Sequence, residues 1–205
     1  PWIKTVFPIL LDRWVPSAEE GTHFTAVMQW KSYSEVEYDG QKFGNKDKEF
    51  PRYLDLPKQS GQAMRLALTG YDDEDGGLAA RGWDVVTGWS ETLTMGLYQD
   101  FIRGSRAEFG VSKEGYVKMR GGWFSDRSLC YLAAGRPVLV QDTGQDAWLP
   151  VGEGVVTFQD PETAIRGVEA INGDYDHHRK AARELAETYF DSNKVLTKLM
   201  EDSFA

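Results

Sequence analysis

The chain has 205 residues, with 23 Lys and Arg against 32 Asp and Glu, for a formal net charge of −9. That length holds one ample domain with a real core, and 41% apolar with 13% aromatic residues describe a globular rather than a disordered chain. The acidic balance argues against non-specific binding to DNA, RNA or an anionic membrane, while leaving room for a local basic pocket. No uncharged run approaches the roughly 18 residues that span a bilayer. A single cysteine, Cys130, excludes an internal disulfide framework and a cysteine-based zinc site. No signal-peptide pattern opens the chain, so the cytoplasm is the expected compartment. The chain starts at Pro1 without Met and is expected to be a piece of a longer protein.

Residues 1–20 carry Pro1, Pro8 and Pro16 and read as an extended arm or linker, because proline is excluded from helix interiors and central strands. Residues 21–205 read as one domain in which short apolar runs alternate with helical segments, the mark of βα units. Strands are predicted at 24–30, 63–68, 84–87, 108–111, 137–140 and 154–158. Val138-Leu139-Val140 is apolar without alternation, as in a strand covered on both faces. Helices are predicted at 50–56, 97–105, 125–134, 161–171, 175–189 and 191–200. Asp160-Pro161 supplies a cap followed by proline at the first helical position. The pattern predicts an α/β fold: a doubly wound, mostly parallel open sheet of Rossmann-like type with helices on both faces.

In such a sheet ligands bind beyond the carboxyl ends of the strands, which selects four loops. Residues 113–126 run into a helix and carry Lys113, Lys118 and Arg120, with Gly121-Gly122 able to let backbone approach a ligand. Trp123 and Phe124 follow. Ser125 and Asp126 then fall at the helix N-terminus, where free N–H groups favour a phosphate. Ser125 suits an anion; Asp126 would repel one and suits a sugar or ribose hydroxyl, or a plain N-cap. Gln141-Asp142-Thr143-Gly144 follows an apolar strand, and offers either hydroxyl acceptors and N–H donors or an Asx turn that only closes the strand. After the first strand, Lys31, Lys42, Lys46 and Lys48 could meet a phosphate, with Lys31 carried into the candidate site. Residues 33–49 are too polar and too long for a plain connection and read as a functional loop or flap, with a tight turn at Tyr38-Asp39-Gly40. The fourth loop, Asp72-Asp73-Glu74-Asp75, lacks the ligand spacing of an EF-hand and reads as an acidic surface turn.

His177 and His178 are adjacent and cannot share a helix face. No Ser-His-Asp constellation or Asp-x-Asp metal motif stands in a suitable place. Trp30, Trp89, Trp123 and Trp148 fall at strand ends or in loops, where rings stack on sugars or bases, or plug the ends of a sheet.

The stretch Gly121-Gly122-Trp123-Phe124-Ser125-Asp126-Arg127-Ser128, followed by Tyr131-Leu132-Ala133-Ala134-Gly135-Arg136-Pro137-Val138-Leu139-Val140, resembles the nucleotide-sugar half of glycosyltransferases with the two-domain, B-type fold. Thr143-Gly144, the strand at 154–158, Asp160-Pro161-Glu162 and the terminal helix continue the likeness in order over residues 22–205. The resemblance implies a donor nucleotide lying across 121–126 and 142–144, with its diphosphate at Ser125. Arg120, Lys113 or Lys31 would then neutralise the leaving group. It implies no metal or other cofactor, the nucleotide sugar being substrate, and an acceptor-binding N-terminal domain missing from this chain. Retaining members often carry two glutamates eight residues apart here. Those positions hold Gly122 and Cys130, so the glutamates' donor contacts do not transfer and no catalytic residue is assigned. The competing expectations are a non-catalytic module that keeps the fold for partner binding or scaffolding, and another doubly wound enzyme such as a sugar-nucleotide epimerase.

Overall fold

The computed structural model describes residues 3–71 and 77–204. The predicted acidic turn at Asp72-Asp73-Glu74-Asp75 lies outside the described residues. In chain order the strands are β1 (Phe24–Gln29), β2 (Val36–Tyr38), β3 (Gln41–Phe43), β4 (Met64–Thr69), β5 (Trp83–Thr87), β6 (Ala107–Gly110), β7 (Val138–Gln141) and β8 (Val155–Phe158). The helices are α1 (Lys46–Glu49), α2 (Leu56–Ser60), α3 (Gly77–Ala80), α4 (Gly88–Thr92), α5 (Met95–Arg103), α6 (Glu114–Met119), α7 (Asp126–Ala133), α8 (Pro161–Gly173), α9 (Tyr175–Leu185) and α10 (Ser192–Phe204). A 3-10 turn, Phe50–Tyr53, follows α1, and a π turn, Ala186–Phe190, continues α9.

Six strands form one sheet in the order β5-β4-β1-β6-β7-β8, all parallel. Counted by sequence among themselves these run 3-2-1-4-5-6, the doubly wound order, whose direction reverses between β1 and β6. Each predicted core strand is present to within a residue or two. Side chains alternate across the sheet as strand geometry requires. Phe24, Ala26 and Met28 of β1 and Phe109 of β6 join Leu139 and α8 in one buried cluster. Val138 and Val140 of β7 join Ile102, Leu129, Leu132 and Ala182 from α5, α7 and α9 in the other. Gly167 lets α8 lie close on β7, since a Cβ there would stand 2.4 Å from Leu139 Cδ1. Each fully buried Leu, Val or Phe contributes about 1.5–3 kcal/mol.

The N-terminal end of α8 forms as its sequence demands. Asp160 Oδ1 accepts from Thr163 N at 2.8 Å, and Thr163 Oγ1 accepts from Asp160 N at 3.0 Å, a reciprocal cap with Pro161 at the first position. Residues 3–20 run along α9 and the start of α10, with a turn at Leu10–Trp14, where Arg13 N donates to Leu10 O and Trp14 N to Leu11 O. Ile9 N donates to Phe190 O at 2.8 Å, Ser192 N donates to Ile9 O at 3.0 Å, and Trp14 is buried. Buried Arg136 holds the end of this segment by donating to Glu19 O. Among the described residues no helix is long and apolar enough to cross a membrane.

Two segments are more ordered than their composition suggests. Residues 33–49 contain the hairpin β2–β3 and α1, and the hairpin turn is Asp39-Gly40 with φ of 51° and 70°. Both central residues are left-handed, which matches the twist of the paired strands. Residues 113–126, read as one loop, contain α6, which ends where Arg120 turns left-handed at φ 46°.

Candidate functional site

The carboxyl ends of β6 and β7 lie side by side, with Gly110 opposite Val140. Beyond them a cavity of about 220 Å³ opens against the first turn of α7. Gly110 keeps its floor low, since a Cβ there would meet Val140 Cγ1 at 2.9 Å. Gln141 ties the floor together. Its Oε1 accepts from Ser112 N at 3.0 Å, and its Nε2 donates to Glu49 Oε2 at 2.6 Å. Ser125 caps α7 by accepting from Arg127 N at 3.3 Å, and Asp126 Oδ1 accepts from the same N–H at 2.9 Å. Buried Asn45 places the neighbouring lysine. Its Oδ1 accepts from Ser32 Oγ at 2.9 Å and its Nδ2 donates to Tyr33 O at 2.7 Å, so α1 begins at a fixed point and Lys46 enters the cavity.

The cavity is cationic. Arg127 is bound to the buried carboxylate of Glu108 at 2.6 Å and donates to Val27 O at 2.9 Å. Burial disfavours its charge, and Glu108 more than offsets that, so the guanidinium stays protonated. Lys46 has no such compensation. Burial first, and Arg127 next, press its pKa well below the ordinary lysine value, against the weaker pull of Glu108. Among the described residues its Nζ has no hydrogen-bond or ion-pair partner. Lys113 Nζ sits 4.6 Å from the Tyr33 ring and 5.8 Å from the Tyr116 ring. Tyr116 stacks on Trp123 at 4.6 Å and 19°, and this pair forms an aromatic wall.

Of the residues expected in the site, Lys113, Trp123, Phe124, Ser125 and Asp126 line this cavity. The others lie elsewhere, for identifiable reasons. Lys31 is an exposed side chain whose Nζ faces Asp47 at 3.7 Å, in a separate surface groove with Lys48. Arg120 swings onto Asp142, Nη1 to Oδ2 at 2.9 Å, because α6 ends there in a left-handed turn. Gly121 is exposed, and a Cβ on it would meet nothing within 4 Å. Gly122 needs its freedom: φ is 75°, and a Cβ would stand 3.1 Å from Trp148 Nε1. Its amide donates to Thr143 O and its carbonyl accepts from Trp148 Nε1, both at 2.8 Å.

Asp142, Thr143 and Gly144 form a buttress outside the cavity lining. Asp142 accepts from Gly144 N at 2.7 Å, Gln159 Nε2 at 2.8 Å and Arg120. Burial works to raise its pKa, and these bonds together hold it below the usual carboxylate range. Thr143 Oγ1 donates to Trp123 O at 2.6 Å. The bond from Gly144 N makes an Asx turn of this loop, and Thr143 ties it to the 122–126 turn.

Cys130, at the second glutamate position, also lies off the cavity. Its thiol faces Asp126 O at 3.6 Å, and burial pushes it up to about 12. Lys46, Tyr116, Arg127, Ser128, Gln141 and Gln145 line the cavity although they were not among the residues carried into the site. Lys46 gave a signal as one of four lysines in its segment, Gln141 as the head of the second candidate loop, and Arg127 and Ser128 within the stretch that carries the family resemblance. Among the described residues no group of three or more His, Cys, Asp or Glu could hold a metal ion.

Residues 54–201 match the family described as glycosyl transferase-like, and the chain belongs to that family. Its fold is that of a B-type glycosyltransferase domain, as solved structures show at low sequence identity. TarM superposes with a TM-score of 0.57 at 13% identity, over 91% of this chain and 36% of that one. Alr3699/HepE of Anabaena, solved with UDP and glucose, gives 0.61 at 9% identity, over 95% of this chain and 55% of that one. The C-terminal domain of the group 1 glycosyl transferase LpcC from Francisella tularensis gives 0.59 at 10% identity, over 89% of this chain and 98% of that one. The chain thus spans about a third to a half of the longer structures and nearly all of the isolated C-terminal domain. Among curated proteins, none matches it in sequence.

Proposed function

We propose that the cavity between β6, β7 and α7 holds the diphosphate of a nucleotide-sugar donor. On this reading the chain is the donor-binding half of a glycosyltransferase whose acceptor-binding half lies outside these residues. The observation that carries it is Lys46, whose Nζ has no hydrogen-bond or ion-pair partner among the described residues and which lines the cavity together with the N-terminal end of α7, beyond the parallel strands. A dianion there gains from the lysine and from the helix end together. The Trp123–Tyr116 wall offers a flat apolar surface for a base or sugar ring. Asp126, at the rim, suits a hydroxyl of the donor. Lys113 and Lys46 would stabilise the charge that develops on the departing nucleoside diphosphate. The scaffold alternative draws on the same departures as before, the Gly122 and Cys130 positions, neither of which faces the cavity.

A thermal-shift screen with nucleoside diphosphates and their sugar conjugates tests the reading. A ligand at about 100 times its dissociation constant stabilises the folded state by about 2.7 kcal/mol. The expected result is a rise selective for one base, absent in Lys46→Met. A flat response from well-folded protein favours the scaffold.

A further inference from the structure

Ser128 is the third residue of α7 and is 1% exposed, and its Oγ has no hydrogen-bond partner. A helical serine commonly returns its hydroxyl to the carbonyl four residues back. For Ser128 that residue is Phe124, which precedes the Ser125 cap and stands outside the helical ladder. The hydroxyl is left unsatisfied in a place where burial makes that unfavourable. Among the described residues, Arg103 Nε, Glu108 Oε2 and Arg136 Nε are likewise buried without partners, but none of those residues lines the cavity. Ser128 does, together with Lys46 and the first residues of α7.

We propose that Ser128 Oγ is a ligand of the donor, donating its hydrogen to a phosphoryl oxygen whose charge Lys46 offsets. This rests on the donor-site reading above and adds to it a neutral donor buried at the cavity wall. A phosphoryl oxygen fits better than a sugar hydroxyl because the cavity that Ser128 lines carries Lys46, Lys113, Arg127 and the N-terminal end of α7 against the single carboxylate of Asp126. The hydroxyl is then a group kept at a cost to the empty protein and satisfied only when the anion arrives.

Calorimetric titration of wild type and Ser128→Ala with UDP and with inorganic pyrophosphate, alongside thermal unfolding of both without ligand, tests this. The expected result is on the order of tenfold weaker binding of both probes by Ser128→Ala. The unliganded variant should unfold at the same temperature as wild type or higher, since no hydrogen bond is lost. Unchanged affinity for both probes overturns the proposal, as does a loss confined to sugar conjugates, which would assign the hydroxyl to the sugar. A lower unfolding temperature with unchanged affinity makes Ser128 structural. Wild type that binds neither probe overturns the donor-site reading, and this proposal with it.

Discussion

The segments 122–128 and 142–145 both carry glycine, a hydroxyl and an acidic residue, and they touch each other through Gly122 N to Thr143 O. In the second, Asp142 accepts from three groups and Thr143 bonds to Trp123 and Gln145. In the first, Ser128 is unbonded, and the neighbouring Lys46 is unpaired. Two stretches of similar composition thus divide into a buttress and an open wall. What separates them is Ser128 Oγ, left without a partner where Asp142, Thr143 and Gln145 all have one, a difference that spacing along a sequence does not reveal.

Breaking the buttress should have the largest effect. Asp142→Ala removes the bonds to Gly144, Gln159 and Arg120 and should lower stability by about 2–3 kcal/mol in denaturant unfolding. Nucleotide affinity should fall with it, because the 122–126 turn loses its support. Since the Asp142 pKa is depressed in the folded state, its contribution is present above about pH 4 and is lost as pH falls through the folded value. Breaking the open wall should act on binding alone. Lys46→Met should weaken nucleoside diphosphate binding roughly tenfold to thirtyfold by calorimetry, with unliganded stability unchanged or raised, because burial disfavours the charged amine in the empty protein.

A smaller effect lies at the amino end of β8. His178 is held neutral by burial, with His177 adding to it, and its Nδ1 accepts from Gly154 N at 3.2 Å. Its depressed pKa means the unfolded chain takes the proton first. The stability it provides is whole above about pH 6.5 and is lost below it. Between about pH 7 and about pH 5.5 the wild-type unfolding temperature should drop more than that of His178→Gln. The smallest effect sharpens the comparison: Lys31→Ala should leave nucleotide affinity within about twofold, since an exposed pair such as Lys31–Asp47 contributes little.

Much of the fold was legible because it rests on local signals. Val138-Leu139-Val140 had to be a strand covered on both faces, and Asp160-Pro161 had to start a helix. The hairpin turn at Asp39-Gly40 carried its own signal, but the strands around it are exposed and too short to show a buried stripe. The helix at Glu114–Met119 was hidden inside a charged stretch, with Gly115 as its one buried residue. For the site, the loop rule leads to the carboxyl ends of β6 and β7 and the N-terminal end of α7, where the cavity lies. It placed Lys31 where the cavity takes Lys46, because the intervening hairpin brings the later lysine back to α7. It could not show that Asp142 already accepts from Arg120, Gly144 and Gln159, because a carboxylate's partners are invisible in sequence.

The most direct measurement is a crystal structure of the chain with UDP. The phosphates are expected within hydrogen-bond distance of Lys46 Nζ and the 125–128 turn, with the base or sugar near Tyr116 and Trp123. Phosphates bound at Lys31 and Lys48, or against Asp142 and Gly144, would contradict that placement.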